Sequence, residues 1–353
     1  MKRALVTGSS GLVGSAAVAH FDRLGWRVHG IDNNLRRDFF GPDGDTARNL
    51  ERLRRDTRQF EHLSLDVRDR EAISAVVERV RPDLVVHCAA QPSHDLARAR
   101  VFDDFDINAV GTLNLLEAVR QSCRETPFVF MSTNKVYGDA PNEKPFRETA
   151  TRFDFARRED RHGIDENCQI DRCLHSMFGV SKLAADVLVQ EYGRYFDIPT
   201  VCFRAGCLTG SAHAGAELHG FLAYLARAIL EGRQYRIYGY GGKQVRDNLH
   251  ASDVCLAFEA FAAAPRVGAV YNMGGGRENS ISILEAITRL EELTGRRLNT
   301  TQVDEPRRGD HICYISDLSR FKADYPGWEL SKSLDAIFDD FARALEPGTA
   351  ARR

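Results

Sequence analysis

The sequence predicts an α/β protein built on a doubly wound parallel sheet, with a smaller interleaved carboxy-terminal lobe. Three observations predict it: short β-branched runs alternate with amphipathic helical stretches, several of those runs are apolar throughout, and the first strand-to-helix junction is a glycine-rich turn. Alternation of strands and helices demands crossover connections, which make neighbouring strands parallel. Runs such as Leu84-Val85-Val86 and Phe128-Val129-Phe130 are apolar on both faces, as strands covered by helices on each side must be.

In chain order, strands are predicted at Arg3 to Gly8, Arg27 to Asp32, Phe60 to Asp66, Asp83 to Ala90, Pro127 to Thr133 and Pro199 to Gly206, with helical patterns between them. After Gly206 the pattern is less regular and glycine-rich, with helices expected near Leu218 to Glu231, Ser282 to Thr294 and Leu334 to Leu345. The expected organisation is a nucleotide-binding domain over 1–206, with 140–175 as an excursion towards the substrate. A substrate lobe follows over 207–353, from which 238–275 returns to the first domain.

Length and composition narrow the function. A chain of 353 residues is long enough for one large or two interleaved domains. Its 48 basic and 50 acidic residues give a net charge of −2, which offers no electrostatic pull towards nucleic acid or membrane. No apolar run approaches the roughly 18 residues that span a bilayer, and the chain opens on a strand pattern rather than a leader, so a small-molecule partner and a cytoplasmic setting are expected. The eight cysteines are expected to be reduced and mostly buried. The close pair Cys168 and Cys173 lacks the spacing and companions of a zinc site, so no metal is predicted.

The chemistry starts at Thr7-Gly8-Ser9-Ser10-Gly11-Leu12-Val13-Gly14, between the first strand and the first helix. Glycines there allow a tight turn, close approach to a pyrophosphate and close helix packing, while the helix N-terminus offers N–H groups to the anion. Asp32 ends the second strand, where a carboxylate accepts hydrogen bonds from an adenosine ribose. This is a Rossmann-type NAD site. The same carboxylate repels a 2′-phosphate, although Arg36 and Arg37 behind it keep NADP as the alternative.

The TGxxGxxG spacing, with Asp66-Val67, Ala89-Ala90-Gln91 and Asn108-Ala109-Val110-Gly111-Thr112, resembles the extended short-chain dehydrogenase/reductase superfamily over nearly the whole chain. The segments Ser132 to Asp139 and Gly242 to Asp247 resemble its nucleotide-sugar epimerase/dehydratase group. That resemblance implies NAD held by Gly8, Gly11, Leu12, Val13, Gly14, Asp32, Asn33 and Asn34, with Asp66 and Val67 at the adenine. It also implies Ala89, Ala90, Gln91, Asn108 and Lys182 along the cofactor, and Arg246 and Arg308 on the substrate's phosphates. A homodimer packed through the helices Phe178 to Glu191 and Asp103 to Val119 is implied as well. The implied reaction is epimerisation of a nucleotide-diphosphate sugar through a transient ketone, with carbon 2 of a CDP-hexose as the specific form.

The catalytic pattern of that superfamily is a Tyr-x-x-x-Lys pair on one helix face plus a strand-end hydroxyl. Here Thr133 holds the hydroxyl place and Lys182 the lysine place, but Phe178 stands where the tyrosine belongs. A positioned acid/base is worth roughly 10²- to 10⁴-fold in rate, or about 3 to 5 kcal/mol, and phenylalanine cannot supply it. Candidates for a relocated carrier are His94 in the loop after the fourth strand, Tyr137, Cys207 after the sixth strand, and His175, which is alternatively a cap or positioning residue for the helix. A dehydratase or decarboxylase on the same scaffold, or a catalytically silent NAD-binding protein, are the alternative readings that Phe178 leaves open.

Overall fold

The computed structural model describes residues 1–217, 219–307 and 309–345. In chain order its strands are β1 (Arg3–Thr7), β2 (Arg27–Ile31), β3 (Phe60–Leu63), β4 (Leu84–His87), β5 (Phe128–Thr133), β6 (Phe146–Glu148), β7 (Phe153–Phe155), β8 (Thr200–Ala205), β9 (Cys207–Thr209), β10 (Tyr235–Tyr238), β11 (Val245–His250), β12 (Ala269–Met273), β13 (Ser280–Ser282), β14 (Thr300–Val303) and β15 (Cys313–Tyr314). Seven of them form one parallel sheet in the order β12-β8-β5-β4-β1-β2-β3. The order reverses between β1 and β4, the switch point at which such sheets bind ligands beyond their carboxyl ends. All six strands read from the sequence lie in this sheet; β12 is the seventh.

Each face of the sheet carries its own core. One buries Ala4, Val6, Val86, Val129 and Phe203 against the helices Leu12–Arg23 and Ala251–Ala263. The other buries Leu5, Val85, Phe128 and Phe130 against the helices Arg70–Val80, Gly111–Ser122 and Met177–Phe196. A third cluster, with Leu225, Ile237, Leu290 and Phe338, is the core of the smaller lobe.

The expected helix Asp103 to Val119 is one helical path with a π-turn at Asp106–Val110, between the helices Val101–Phe105 and Gly111–Ser122. The helix expected from Leu218 starts at Phe221 behind Gly220, whose φ of 86° belongs to the left-handed region; Leu218 lies outside the described residues. Within 238–275, the helix Ala251–Ala263 and β12 pack with the main sheet. β11 instead pairs with β9, β13 and β15 in the smaller sheet. Of the eight free cysteines Cys202, Cys255 and Cys313 are buried and the other five are partly exposed.

Candidate active site

A cavity of about 430 Å³ opens along the carboxyl ends of the sheet, walled by the glycine turn, the ends of β2, β4, β5 and β8, and the smaller lobe. Its cofactor end is made by close backbone approach. A Cβ on Gly14 would lie 2.0 Å from the Gly8 carbonyl oxygen, and one on Gly8, whose φ is 65°, would lie 2.8 Å from the Ala89 nitrogen. No side chain fits either position, so the turn presents bare backbone at the start of the helix Leu12–Arg23, as a pyrophosphate requires.

Asp32 fixes this turn from the next strand: its Oδ2 accepts the Ser10 N–H at 2.9 Å and its Oδ1 accepts the Asn34 N–H at 2.8 Å. Leu12, Val13, Asn33, Asp66, Val67, Ala89 and Ala90 join the wall. Asn33 Nδ2 donates to Asp66 Oδ2 at 3.0 Å; against the desolvation of partial burial, the Arg68 guanidinium holds Asp66 below the usual carboxylate range. Arg36 lines the same cavity and donates to the Ala214 carbonyl at 2.7 Å, whereas Arg37 pairs with Asp45 at 3.4 Å.

Three cofactor candidates are corrected. Asn34 turns its side chain into its own loop, where Oδ1 accepts from the Thr46 N–H and hydroxyl and Nδ2 donates to Asp45. Gln91 and Asn108 are buried behind the wall. Gln91 Nε2 donates to Asp104 Oδ1 at 2.7 Å, and Asn108 Nδ2 donates to Ser181 Oγ at 3.0 Å and to the Gln91 carbonyl at 3.1 Å, so the two tie the loop after β4 to the helix Met177–Phe196. Behind them a directed chain of hydrogen bonds backs the cavity. Thr112 Oγ1 donates to the Asn108 carbonyl and so accepts from His87 Nε2 at 2.9 Å; His87 Nδ1 then accepts from Thr7 Oγ1 at 2.6 Å. The buried ring is neutral, pushed down to about 3 by desolvation with help from Lys182.

At the sheet end of the cavity stand Thr133, Phe178 and Lys182. Ser176 caps the helix Met177–Phe196 by accepting the Gly179 N–H at 3.0 Å, which sets the register that faces Phe178 and Lys182 inward. Lys182 Nζ donates to the Met131 carbonyl at 2.7 Å and lies 4.0 Å from the Phe130 ring centre. Burial lowers it to about 8 despite Asp186. The tyrosine place is filled by a buried phenyl ring.

The candidates for a relocated carrier separate. Tyr137 is fully buried, its hydroxyl donating to Asn272 Oδ1 at 2.7 Å and accepting from Arg204 Nη1 at 3.3 Å, so it is a packing residue rather than a group at the cavity. His94 is the first residue of the helix His94–Ala99 rather than a loop residue; its side chain lies outside the described set. His175 does not cap the helix, since Ser176 does, and its Nε2 is held 2.8 Å from the Val136 carbonyl. Cys207 lines the cavity, but desolvation pushes its thiol up to about 11, which leaves it protonated at neutral pH.

The far end of the cavity is cationic. Arg246, buried on β11, donates to Asp310 Oδ1 at 2.5 Å; Lys135 Nζ donates to the Gly309 carbonyl at 2.9 Å and stands 3.5 Å from the same carboxylate. Arg307 lines the wall and also pairs with Asp95. Arg308, the expected second cation, lies outside the described residues, and its neighbour Arg307 is the one in the wall. Lys135 was missed in the sequence, where it looks like any polar residue after a strand. Its one local signal is its place two residues beyond the strand-end hydroxyl of Thr133.

A dinucleotide cradle, an inward lysine and a cation-lined chamber in one cavity define a nucleotide-cofactor enzyme acting on an anionic substrate. The chain belongs to the NAD dependent epimerase/dehydratase family, which it matches over residues 4–274, and its cofactor is NAD. It is 34% identical over 268 residues to CDP-paratose 2-epimerase of Salmonella typhi, covering 74% of this chain and 77% of that protein. It is 29% identical over 350 residues to dTDP-glucose 4,6-dehydratase of Neisseria meningitidis serogroup B, covering 95% and 86%. In structure it superposes on UDP-glucose 4-epimerase of Thermus thermophilus, solved with NAD, with a TM-score of 0.77, 25% identity and 98% and 99% of the two chains covered.

Proposed function

We propose that this chain inverts one carbon of a nucleoside-diphosphate sugar. The observation that carries the reading is that the glycine cradle, Thr133 and Lys182 share one cavity with the cations Arg246, Arg307 and Lys135. A bound sugar diphosphate would place its charge on those cations and a sugar hydroxyl near Thr133. NAD, when bound, supplies a hydride acceptor that becomes the donor on return. The chain's own part is to hold the cofactor against the Gly8–Gly14 turn, anchor the diphosphate, and leave the sugar free to turn over while the ketone persists. Thr133 offers a hydroxyl to the reacting oxygen, and Lys182 sets the field beside it.

The identity to CDP-paratose 2-epimerase supports carbon 2 of a CDP-hexose as the inverted centre. Turnover in deuterated water tests the reaction: direct return of hydride gives a product of unchanged mass with no carbon-bound deuterium. Deuterium at the inverted carbon would overturn hydride return. Likeness over 95% of the chain to dTDP-glucose 4,6-dehydratases supports a second reading, dehydration, which would show as the loss of a water's mass.

The reading extends to the assembly and its compartment. Phe102, 86% exposed, lies with Val101 and Phe105 beside the π-turn, and Val180, Val187 and Tyr195 form an exposed apolar strip on the helix Met177–Phe196. Such faces are consistent with a homodimer through these helices, for which sedimentation at micromolar concentration gives the test: a monomer there contradicts it. Free thiols throughout fit a reducing, cytoplasmic setting, and no helix among the described residues is long and apolar enough to cross a membrane.

A further inference from the structure

The cavity wall holds an ion pair that neither the cofactor nor the chemistry uses. Arg236 on β10 donates from Nε to Glu217 Oε1 at 2.6 Å, and both residues line the cavity. The strand that carries Arg236 leads to the cationic end. Gly239, just past β10, is pressed against the residue before Arg307: a Cβ on it would lie 2.6 Å from Pro306 Cα. Three residues of extended chain, about 10 Å at roughly 3.3 Å each, separate Arg236 from that contact. Tyr235, buried on the same strand, feels the charges of Arg307 and Asp310 and also that of Glu217. The pair therefore stands along β10 from the diphosphate's cations, at about the reach of a nucleoside. A third polar group lies beside it. Gln244, 6% exposed and in the same wall, donates from Nε2 to the Tyr238 carbonyl at 3.0 Å, which leaves its Oε1 without a partner among the described residues. A buried amide oxygen in a cavity wall is costly to leave unpaired and calls for a ligand's N–H or O–H.

We propose that Glu217 and Arg236 read the base of the nucleotide and select cytosine over uracil and thymine. The inference rests on the nucleotide-sugar reading and deepens it. A carboxylate paired with a guanidinium only accepts hydrogen bonds, and the guanidinium only donates them, so the two side chains set an acceptor next to a donor. Cytosine presents the complement: an amino donor at N4 beside an acceptor at N3, with O2 as a second acceptor. A glutamate accepting from N4 is a favourable pairing for this base. Uracil and thymine reverse the first two groups, with an acceptor at O4 and an N–H at N3. Against them the Glu217 carboxylate would meet an oxygen and the Arg236 guanidinium an N–H, so both contacts turn from attraction to conflict. Specificity here comes as much from that repulsion as from the pairing.

Binding of nucleoside diphosphates to the NAD-loaded, full-length enzyme tests this without any turnover. In calorimetry CDP should bind at least about tenfold more tightly than UDP or dTDP, the scale of one well-placed two-point contact to a base. Glu217→Gln keeps the side chain's size but can donate as well as accept, so it should weaken CDP, strengthen UDP and bring the two within about threefold. Arg236→Met removes the donor at N3 and should narrow the same ratio by weakening CDP. UDP bound as tightly as CDP by the unaltered enzyme, ADP or GDP bound more tightly than CDP, or a CDP-to-UDP ratio unmoved by Glu217→Gln would each overturn the base assignment alone. Failure of every nucleoside diphosphate to bind would overturn the nucleotide-sugar reading along with it.

Discussion

At the scale of single residues, the cofactor end works by exclusion and the chemical end by placement. Gly14 has no room for a methyl group, so Gly14→Ala must push the Gly8 carbonyl out of the turn. The expected outcome is loss of NAD from the purified protein, read as the nucleotide released on denaturation. Asp32 acts through its two backbone hydrogen bonds as well as its charge. Asp32→Ala is expected to weaken NAD binding at least about tenfold, since two hydrogen bonds to a charged group are lost. It should also narrow the preference over NADP, which competitive titration of the two dinucleotides measures. Undiminished preference would mean that repulsion by the Asp32 carboxylate does not set it.

At the scale of elements, the helix Met177–Phe196 links cap, register and site. Ser176→Ala removes the acceptor for the Gly179 N–H and should cost about 1 kcal/mol, lowering the thermal midpoint by about 2 °C. Because the frayed turn carries Phe178 and packs on Lys135, turnover should fall by more than that stability change explains; an unchanged rate would show that the first turn does not position the site. The six strands were legible in the sequence because their signal is local, a short run of apolar and β-branched residues, whereas this helix was expected from the family resemblance and its amphipathic period, and its Ser176 cap was not read. β12 was not, because Tyr271 and Asn272 interrupt Ala269–Met273 and read as a loop. Only the tertiary partners of Asn272, the Tyr137 hydroxyl and the Ile164 carbonyl, make that polar residue tolerable in a buried strand. The cation end was half legible for the same reason: Arg246 sits in a recognisable segment, whereas Lys135, Arg307 and Asp310 acquire meaning only when the turn after β5 meets the loop before β15.

At the scale of the whole molecule, the buried ionisable groups set how folding responds to acid. His87 and His213 are held neutral, each lowered to about 3 chiefly by burial, and His311 is lowered well below its ordinary value by burial and by Lys135 and Arg246. The unfolded chain takes up protons at these three positions below about pH 6.5 while the folded chain does not. Their contribution is therefore complete above that pH and is lost as pH falls towards 3, at roughly 1.4 kcal/mol per pH unit for each group. Asp247 opposes them: burial raises it to about 6, so between about 6 and its unfolded value near 4 the folded state holds a proton that the unfolded state has released, and stability gains as pH falls. Burial also raises Asp104 and Glu166 and lowers His29, His62 and His250, so six lowered histidines face three raised carboxyls and urea midpoints should decline from about pH 6.5 to 5. His87→Asn preserves a polar partner for Thr7 while removing the titrating ring, and should flatten that decline by the equivalent of one proton. An undiminished slope in His87→Asn would place the acid sensitivity elsewhere and would argue against a neutral His87 at the back of the NAD cavity.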